Sequence, residues 1–229
     1  MSVISVLVLT AAPPGQATEA GGAYVKLDGR EALVKSVELF LNRDNIKQIQ
    51  VVFDPAEIEN AKKKFGPHFS FSGVKVLTGG PRWIDQIAAA EGKIAPEATH
   101  VLIHDGARPV VPYSDIDALL ESANDTAVAL ATPSRTTLVE TDEGGNPVAC
   151  YSPTHYMQLL TPQLYSKQEF TAMAKSKQDI HPSKLKLLKA SPLNIRIAGP
   201  GDEKVAKSML GLLPKKKIAA SSPFEEAQW

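Results

Sequence analysis

The sequence predicts an α/β fold, a mostly parallel sheet with helices on both faces, and three features point there. Short apolar runs of strand length alternate four times with stretches of helical spacing before residue 104, and parallel strands need crossover connections of this kind. The first of these runs, Ile4 to Thr10, is nearly continuous rather than alternating, as in a strand buried on both faces. Glycine and proline gather just past the strand ends, where open α/β sheets hold their ligands.

The elements follow in order. Ile4 to Thr10 (ISVLVLT) is a buried strand that runs into the loop Ala11, Ala12, Pro13, Pro14, Gly15. From Glu31, the residues Leu33, Val37, Phe40 and Leu41 recur at helical spacing with polar residues between them, which makes an amphipathic helix. Ile46 to Phe53 is the second strand. Pro55 opens a helix that Ile58, Ala61 and Phe65 carry to Gly66 and Pro67, a pair that predicts its end. Val74 to Leu77 is the third strand. After Gly79 and Gly80, the spacing of Ile84, Ile87, Ala88 and Glu91 predicts another helix, and Val101 to Ile103 is a fourth strand leading into His104 and Asp105.

Beyond a fifth strand, Ala127 to Ala131, the rhythm breaks. Thr137 to Thr141 and Val148 to Tyr151 flank the turn-rich cluster Asp142, Glu143, Gly144, Gly145, Asn146, which predicts a hairpin. An isolated hairpin is marginal in water, so this one needs a partner chain or a neighbouring helix to rest on. Leu193 to Ala198 predicts a last strand, Asp202 to Leu213 a last helix, and the residues from Lys215 a solvated tail.

With 229 residues, of which 43% are hydrophobic, the chain can bury one substantial core and reads as a single domain over 1–229. A net charge of +0 supplies no global field for nucleic acid or an anionic membrane, so any phosphate chemistry must be local. Cys150 has no second cysteine to pair with, and the five histidines lack metal-ligand spacing. No apolar run has the length of a membrane span. The expectation is a cytoplasmic protein with neither nucleic acid nor membrane as partner.

Val101 to Val111 (VLIHDGARPVV) carries the strongest chemical signal, a buried strand that delivers an acid and a base at its carboxyl end. Asp105 suits a divalent cation or a ribose hydroxyl, and Arg108 can fork onto a phosphate. Equally, Asp105 can cap the following turn with Arg108 paired to it. His104 more readily packs or hydrogen-bonds locally than catalyses. Downstream lie Thr161, Pro162 and Gln163 in LTPQ, then Asn194, Ile195 and Arg196 in NIRI, then Pro200 and Asp202. An arginine on a central strand is costly unless its charge is paired or faces a cleft, which favours a site role for Arg196.

In this order the segments resemble the 2-C-methyl-D-erythritol 4-phosphate cytidylyltransferases of non-mevalonate isoprenoid synthesis. His104 to Pro109 resembles the family's HDAARP with Gly106 for an alanine, and Thr161 to Gln163 its TPQ. Asn194 to Asp202 is similar to the closing NIKxTxPED with Arg196 for the lysine, Pro133 to Thr137 to PVxDT with Thr136 at the aspartate, and Gly79 with Gly80 to the glycine pair. The resemblance implies a Rossmann-like sheet with a projecting β-hairpin arm, residues 134–158, that intertwines a homodimer. It implies transfer of a cytidylyl group from CTP to a sugar-alcohol phosphate, with Mg²⁺ as cofactor and pyrophosphate released. Asp105 would hold metal and ribose, Arg108 and Arg196 would neutralise phosphate, and Thr137, Thr161 and Gln163 would bind the acceptor. Ala11, Ala12, Gly15, Gly79, Gly80, Arg82 and Gln86 would surround the nucleotide with Asp105.

Departures from the family pattern cluster at the triphosphate. The family's AAGxGxR loop and PK pair supply amides and cations there; here Pro13 and Pro14 donate no N–H, Ala17 stands at the arginine, and the lysine falls opposite Gly22, with Lys26 the nearest cation. Trp83 occupies the position of the arginine after the glycine pair, with Arg82 one place early and Gln86 at the serine. Pro153 and Val139 replace cations, and Leu193 replaces an aspartate that would be a second carboxylate beside Asp105, so Mg²⁺ is expected only alongside nucleotide. Two other readings stay open: a non-catalytic member that binds a nucleotide or a protein partner, and a nucleotidyltransferase for another sugar or alcohol phosphate.

Overall fold

The computed structural model describes residues 2–16, 22–123 and 127–213. β1 (Ile4–Leu9) leads through the short ladder of β2 (Lys26–Leu27) and β3 (Arg30–Glu31) into α1 (Ala32–Glu38). β4 (Ile46–Phe53), α2 (Ile58–Phe71), β5 (Lys75–Thr78), α3 (Trp83–Ala90) and β6 (His100–Asp105) complete the expected alternation. α4 (Tyr113–Glu121) then leads to β7 (Val128–Pro133), the hairpin β8 (Leu138–Thr141) and β9 (Pro147–Tyr151), and β10 (Met157–Ser166). α5 (Lys167–Ser176), β11 (Lys186–Lys189) and α6 (Pro200–Leu210) follow.

Seven strands form the main sheet in the order β11-β7-β10-β6-β1-β4-β5. Neighbours run parallel except at β10, which is antiparallel to both β6 and β7. The chain builds β4 and β5 on one side of β1, then crosses back to lay β6 on the other, with Leu9 opposite Asp105. That reversal opens a crevice at the carboxyl ends of β1 and β6.

Side chains of β1 alternate between two apolar layers. Val6 and Val8 pack with Leu33 of α1, Phe40 in the turn just past it, Phe65 of α2 and Ile116 of α4. Leu7 and Leu9 pack with Trp83, Ile87, Phe170 and Met173 from α3 and α5. Helices therefore cover both faces, and the strand is apolar at every other position on each of them, which is why its sequence reads as an unbroken run. Fully burying a phenylalanine such as Phe40 or Phe170 contributes roughly 1.5–3 kcal/mol. A third cluster of Leu27, Ala32, Val110, Ile197 and Ala206 seats α6 against the segment that follows β6.

The fold corrects the sequence reading at several places. α2 does not stop at Gly66 and Pro67 but runs through Pro67 to Phe71. Phe65 and Phe69, four residues apart on one buried face, hold the helix together across the hydrogen bond that Pro67 lacks. Leu193 to Ala198 is not a strand; it is an extended loop anchored by the Ile197 N–H on the Ala107 carbonyl (2.9 Å). The edge position belongs to β11 instead. α4, β10, α5 and β11 had no counterpart in the sequence reading. Pro162 disguised β10, whose register shifts between Leu159 and Gln163 to accommodate it. The Ser166–Glu169 capping box that opens α5 was a legible start signal. The residues from Lys215 lie outside the described residues.

The hairpin pairs Leu138 with Tyr151 and Val139 with Cys150 in a two-stranded sheet of its own. Leu138, Val139, Val148 and Tyr151 are exposed, as are Tyr156, Met157 and Leu159 beside them.

Candidate active site

Asp105 ends β6 at the crevice and is almost fully buried. The Gly106 N–H donates to the Leu9 carbonyl (2.8 Å), and a Cβ at Gly106 would lie 2.7 Å from Leu33, so the chain turns tightly here. The Asp105 Oδ1 accepts the Ala107 N–H (2.9 Å), and Oδ2 accepts from the Arg196 Nε (2.7 Å). The Arg108 Nε lies 3.7 Å from the same Oδ2 and has no hydrogen-bond partner among the described residues. Asp105 therefore both caps its turn and neutralises two guanidiniums. The Arg108 Nη1 donates to the Asn194 carbonyl (2.9 Å). Burial, with Arg196 acting in the same direction, pulls the Arg108 pKa down to about 10 against the pull of Asp105, which leaves it charged at neutral pH.

Behind this cluster, the His104 Nε2 lies 3.0 Å from the Arg108 carbonyl. A carbonyl only accepts, so Nε2 carries the proton and Nδ1 accepts from the Thr161 hydroxyl at 3.3 Å. The Thr161 Oγ1 in turn accepts the Asp105 N–H (3.1 Å), and the Asn194 Nδ2 donates to the Thr161 carbonyl (2.8 Å). Burial pushes the His104 pKa down to about 3, so the imidazole is a neutral support for the Asp105 turn. The structure thus joins Asp105, Arg108, Thr161 and Arg196 in one network. Gln163 stands apart: its amide donates to the Leu160 carbonyl (3.2 Å) and accepts from the Tyr165 hydroxyl.

In front of the network lies a cleft of about 470 Å³, walled by the ends of β7, by β10 and by the loop at 192–196. Arg108, Arg135 and Arg196 line it with Gln16, Thr132 and Gln158. Sequence reasoning missed Arg135, Gln16 and Gln158. A signal for Arg135 existed, since it is a cation just past the carboxyl end of β7. Thr137 is exposed and is not among the lining residues, whereas Thr136 is.

The residues expected around the nucleotide lie toward the β1 and β5 side. Gln86 is fully buried; its Oε1 accepts the N–H groups of Thr10 (3.0 Å) and Ala11 (3.1 Å), and its Nε2 donates to the Thr10 Oγ1 (3.2 Å). A Cβ at Gly79 would lie 2.8 Å from Gln86 and Val52, and one at Gly80 would lie 2.6 Å from Asp85, so the pair lets α3 approach the sheet. Arg82 forks onto Asp85 at 2.6 and 3.0 Å. Within residues 11–16, Ala11 donates to Gln86, Gln16 donates to the Pro13 carbonyl (3.1 Å) and the prolines have no N–H, so among the described residues of this loop only the N–H groups of Ala12 and Gly15 are left as donors for a phosphate. Gly22 cannot bear a lysine in this backbone, because a Cβ there would stand 1.9 Å from the Ile197 carbonyl oxygen. Ala17 lies outside the described residues.

The residues present do not fit a resident metal ion. Among the described residues no group of three or more His, Cys, Asp or Glu is placed to hold one. Both oxygens of Asp105 already accept from protein donors, and Leu193 offers no second carboxylate. Nor is any described helix long and apolar enough to cross a membrane.

A crossover sheet with cations gathered at its switch point defines an α/β protein built to bind phosphate-bearing ligands. Residues 5–209 match the family IspD, 2-C-methyl-D-erythritol 4-phosphate cytidylyltransferase, and the chain belongs to that family of nucleotidyl-transferring enzymes. A cytidylyltransferase of that name from Shewanella halifaxensis is 29% identical over 144 residues, which span 62% of this chain and 61% of the relative. One from Lachnospira eligens is 24% identical over 200 residues, 80% of this chain and 88% of the relative. The fold matches the crystal structure of 4-diphosphocytidyl-2C-methyl-D-erythritol synthase from Anaerococcus prevotii with a TM-score of 0.73, at 18% identity over 92% of this chain and 96% of that one.

Proposed function

We propose that this chain transfers a cytidylyl group from CTP to 2-C-methyl-D-erythritol 4-phosphate and releases pyrophosphate. The observation that carries this reading is the cleft in which Arg108, Arg135 and Arg196 converge in front of one buried carboxylate. A phosphate oxygen of the acceptor attacks the α-phosphorus of CTP, and the bond from that phosphorus to the oxygen of the departing pyrophosphate breaks. Because the nucleophile is already an anion, no side chain has to take a proton, and the task of the protein is to hold charge in place. Arg108 and Arg196 neutralise the reacting phosphates and Asp105 fixes both guanidiniums; Thr137 and Gln163 stand outside this cleft and take no part in it. The acceptor-dependent release of pyrophosphate from CTP, UTP, ATP and GTP tests this: release with CTP above the others supports it, and release that ignores the acceptor contradicts it.

On this reading Mg²⁺ arrives on the CTP triphosphate rather than in a protein cage. Calorimetry of the protein with Mg²⁺ alone should show no binding up to millimolar concentration; tight binding without nucleotide would contradict it. Residues 134–158 serve as the dimer arm, burying the exposed Leu138, Val139 and Val148 against a second copy. Light scattering should give a dimer at micromolar concentration and a monomer for Val139→Lys with Val148→Lys, whereas a native monomer would remove this role. The shortage of donors in the loop at 11–16 favours one rival, a member that binds a nucleotide or a partner with little turnover.

A further inference from the structure

We infer that Arg135 is the residue that grips the phosphate of the acceptor and so selects phosphorylated over unphosphorylated alcohols; the inference rests on the transferase reading. Three guanidiniums line the cleft, and two of them are tied to the protein. The Arg196 Nε is bonded to Asp105 at 2.7 Å, and the Arg108 Nη1 to the Asn194 carbonyl at 2.9 Å. Arg135 is exposed and makes no ion pair among the described residues. Its backbone is nonetheless held. The preceding Ser134 is buried; its N–H donates to the Tyr156 carbonyl (2.9 Å) and its hydroxyl to the Thr136 carbonyl (3.3 Å). A cation on a fixed stem, lining the same cleft as Arg108 and Arg196, suits a ligand whose phosphate lies among the three guanidiniums. The charge sum agrees: three guanidiniums against the Asp105 carboxylate leave a net +2, and a phosphate monoester carries about −1.5 to −2 at neutral pH. The Gln158 and Thr132 side chains on the same walls offer hydrogen bonds to the hydroxyls of a polyol.

The test titrates the full chain by calorimetry with 2-C-methyl-D-erythritol 4-phosphate and with 2-C-methyl-D-erythritol, using the native protein, Arg135→Gln and Arg135→Lys. Losing one charge-assisted clamp should weaken the phosphate ester roughly 10- to 100-fold in Arg135→Gln. Arg135→Lys should keep part of the affinity, the unphosphorylated alcohol should bind alike to all three, and the unfolding midpoint should not move. In turnover, KM for the acceptor should rise with KM for CTP unchanged. Equal affinity of native and Arg135→Gln, a matching loss for the alcohol, or no binding of the ester to the native protein would overturn the inference. Turnover with a KM that ignores Arg135 sinks this inference alone, whereas Arg135-dependent ester binding without any turnover sinks the transferase reading alone.

Discussion

Cytidylyl transfer by this chain is expected to run about 10⁴-fold below that of a family member with an intact phosphate loop, and a variant with Pro13→Gly and Ala17→Arg is expected to recover much of the difference. Charge developing on a transferring phosphate is stabilised by donors already aimed at it, and each lost donor costs roughly 3 kcal/mol, or about 10²-fold. At least two are missing from the 11–17 segment. Pro13 and Pro14 have no N–H, the Ala11 N–H is taken by the Gln86 carboxamide, and position 17 carries no cation. Arg82 is forked onto Asp85, and this backbone has no room for a lysine at Gly22, which leaves Lys26 as the cation that would have to compensate. The check is kcat/KM for CTP, measured side by side in the native protein, the variant and an intact relative. Native turnover at ordinary enzyme rates would show that Ala12 and Gly15 suffice, and the loop argument would fall.

The Asp105→Asn protein is expected to lose about 3–5 kcal/mol of stability as well as its activity, because the change leaves Arg108 and Arg196 facing each other with no counter-charge. Both guanidiniums are largely buried, so water does little to screen them. The amide still accepts one hydrogen bond but removes the charge that offsets the repulsion. Adding Arg196→Met should restore part of the stability without restoring transfer, since it deletes one unpaired cation and one phosphate ligand together. Urea unfolding of the three proteins measures this; an Asp105→Asn midpoint within about 1 kcal/mol of native stability would mean that the pair is solvated and structurally unimportant.

The parts of the fold that read clearly in the sequence are those whose local and tertiary demands agree. β1 is apolar apart from Ser5 and β6 has the apolar core Val101–Ile103 because both faces are covered, and the acid at the end of β6 stands out for that reason. β10 did not read, because Pro162 and a bulge interrupt it, yet the same bulge delivers the Thr161 hydroxyl to Asp105. The segment from Leu193 to Ala198 has strand composition but follows the needs of Asn194 and Arg196, whose bonds to Thr161 and Asp105 hold it as a loop. Motif matching brought out the network around Asp105, since its members lie within short signatures. Arg135 escaped notice because it falls at the variable position of the PVxDT-like segment, although it is a cation just past the carboxyl end of β7 and lines the cleft with Arg196.

The most direct test of the central claim is ³¹P NMR of CTP, Mg²⁺ and 2-C-methyl-D-erythritol 4-phosphate incubated with the protein and, in parallel, with the Pro13→Gly, Ala17→Arg variant. The account predicts that a new diphosphate diester and free pyrophosphate grow together in equal amounts, slowly with the native protein and faster with the variant. Ester binding in the cleft with no diester from either protein, over times sufficient to detect turnover 10⁶-fold below an intact relative, would contradict it.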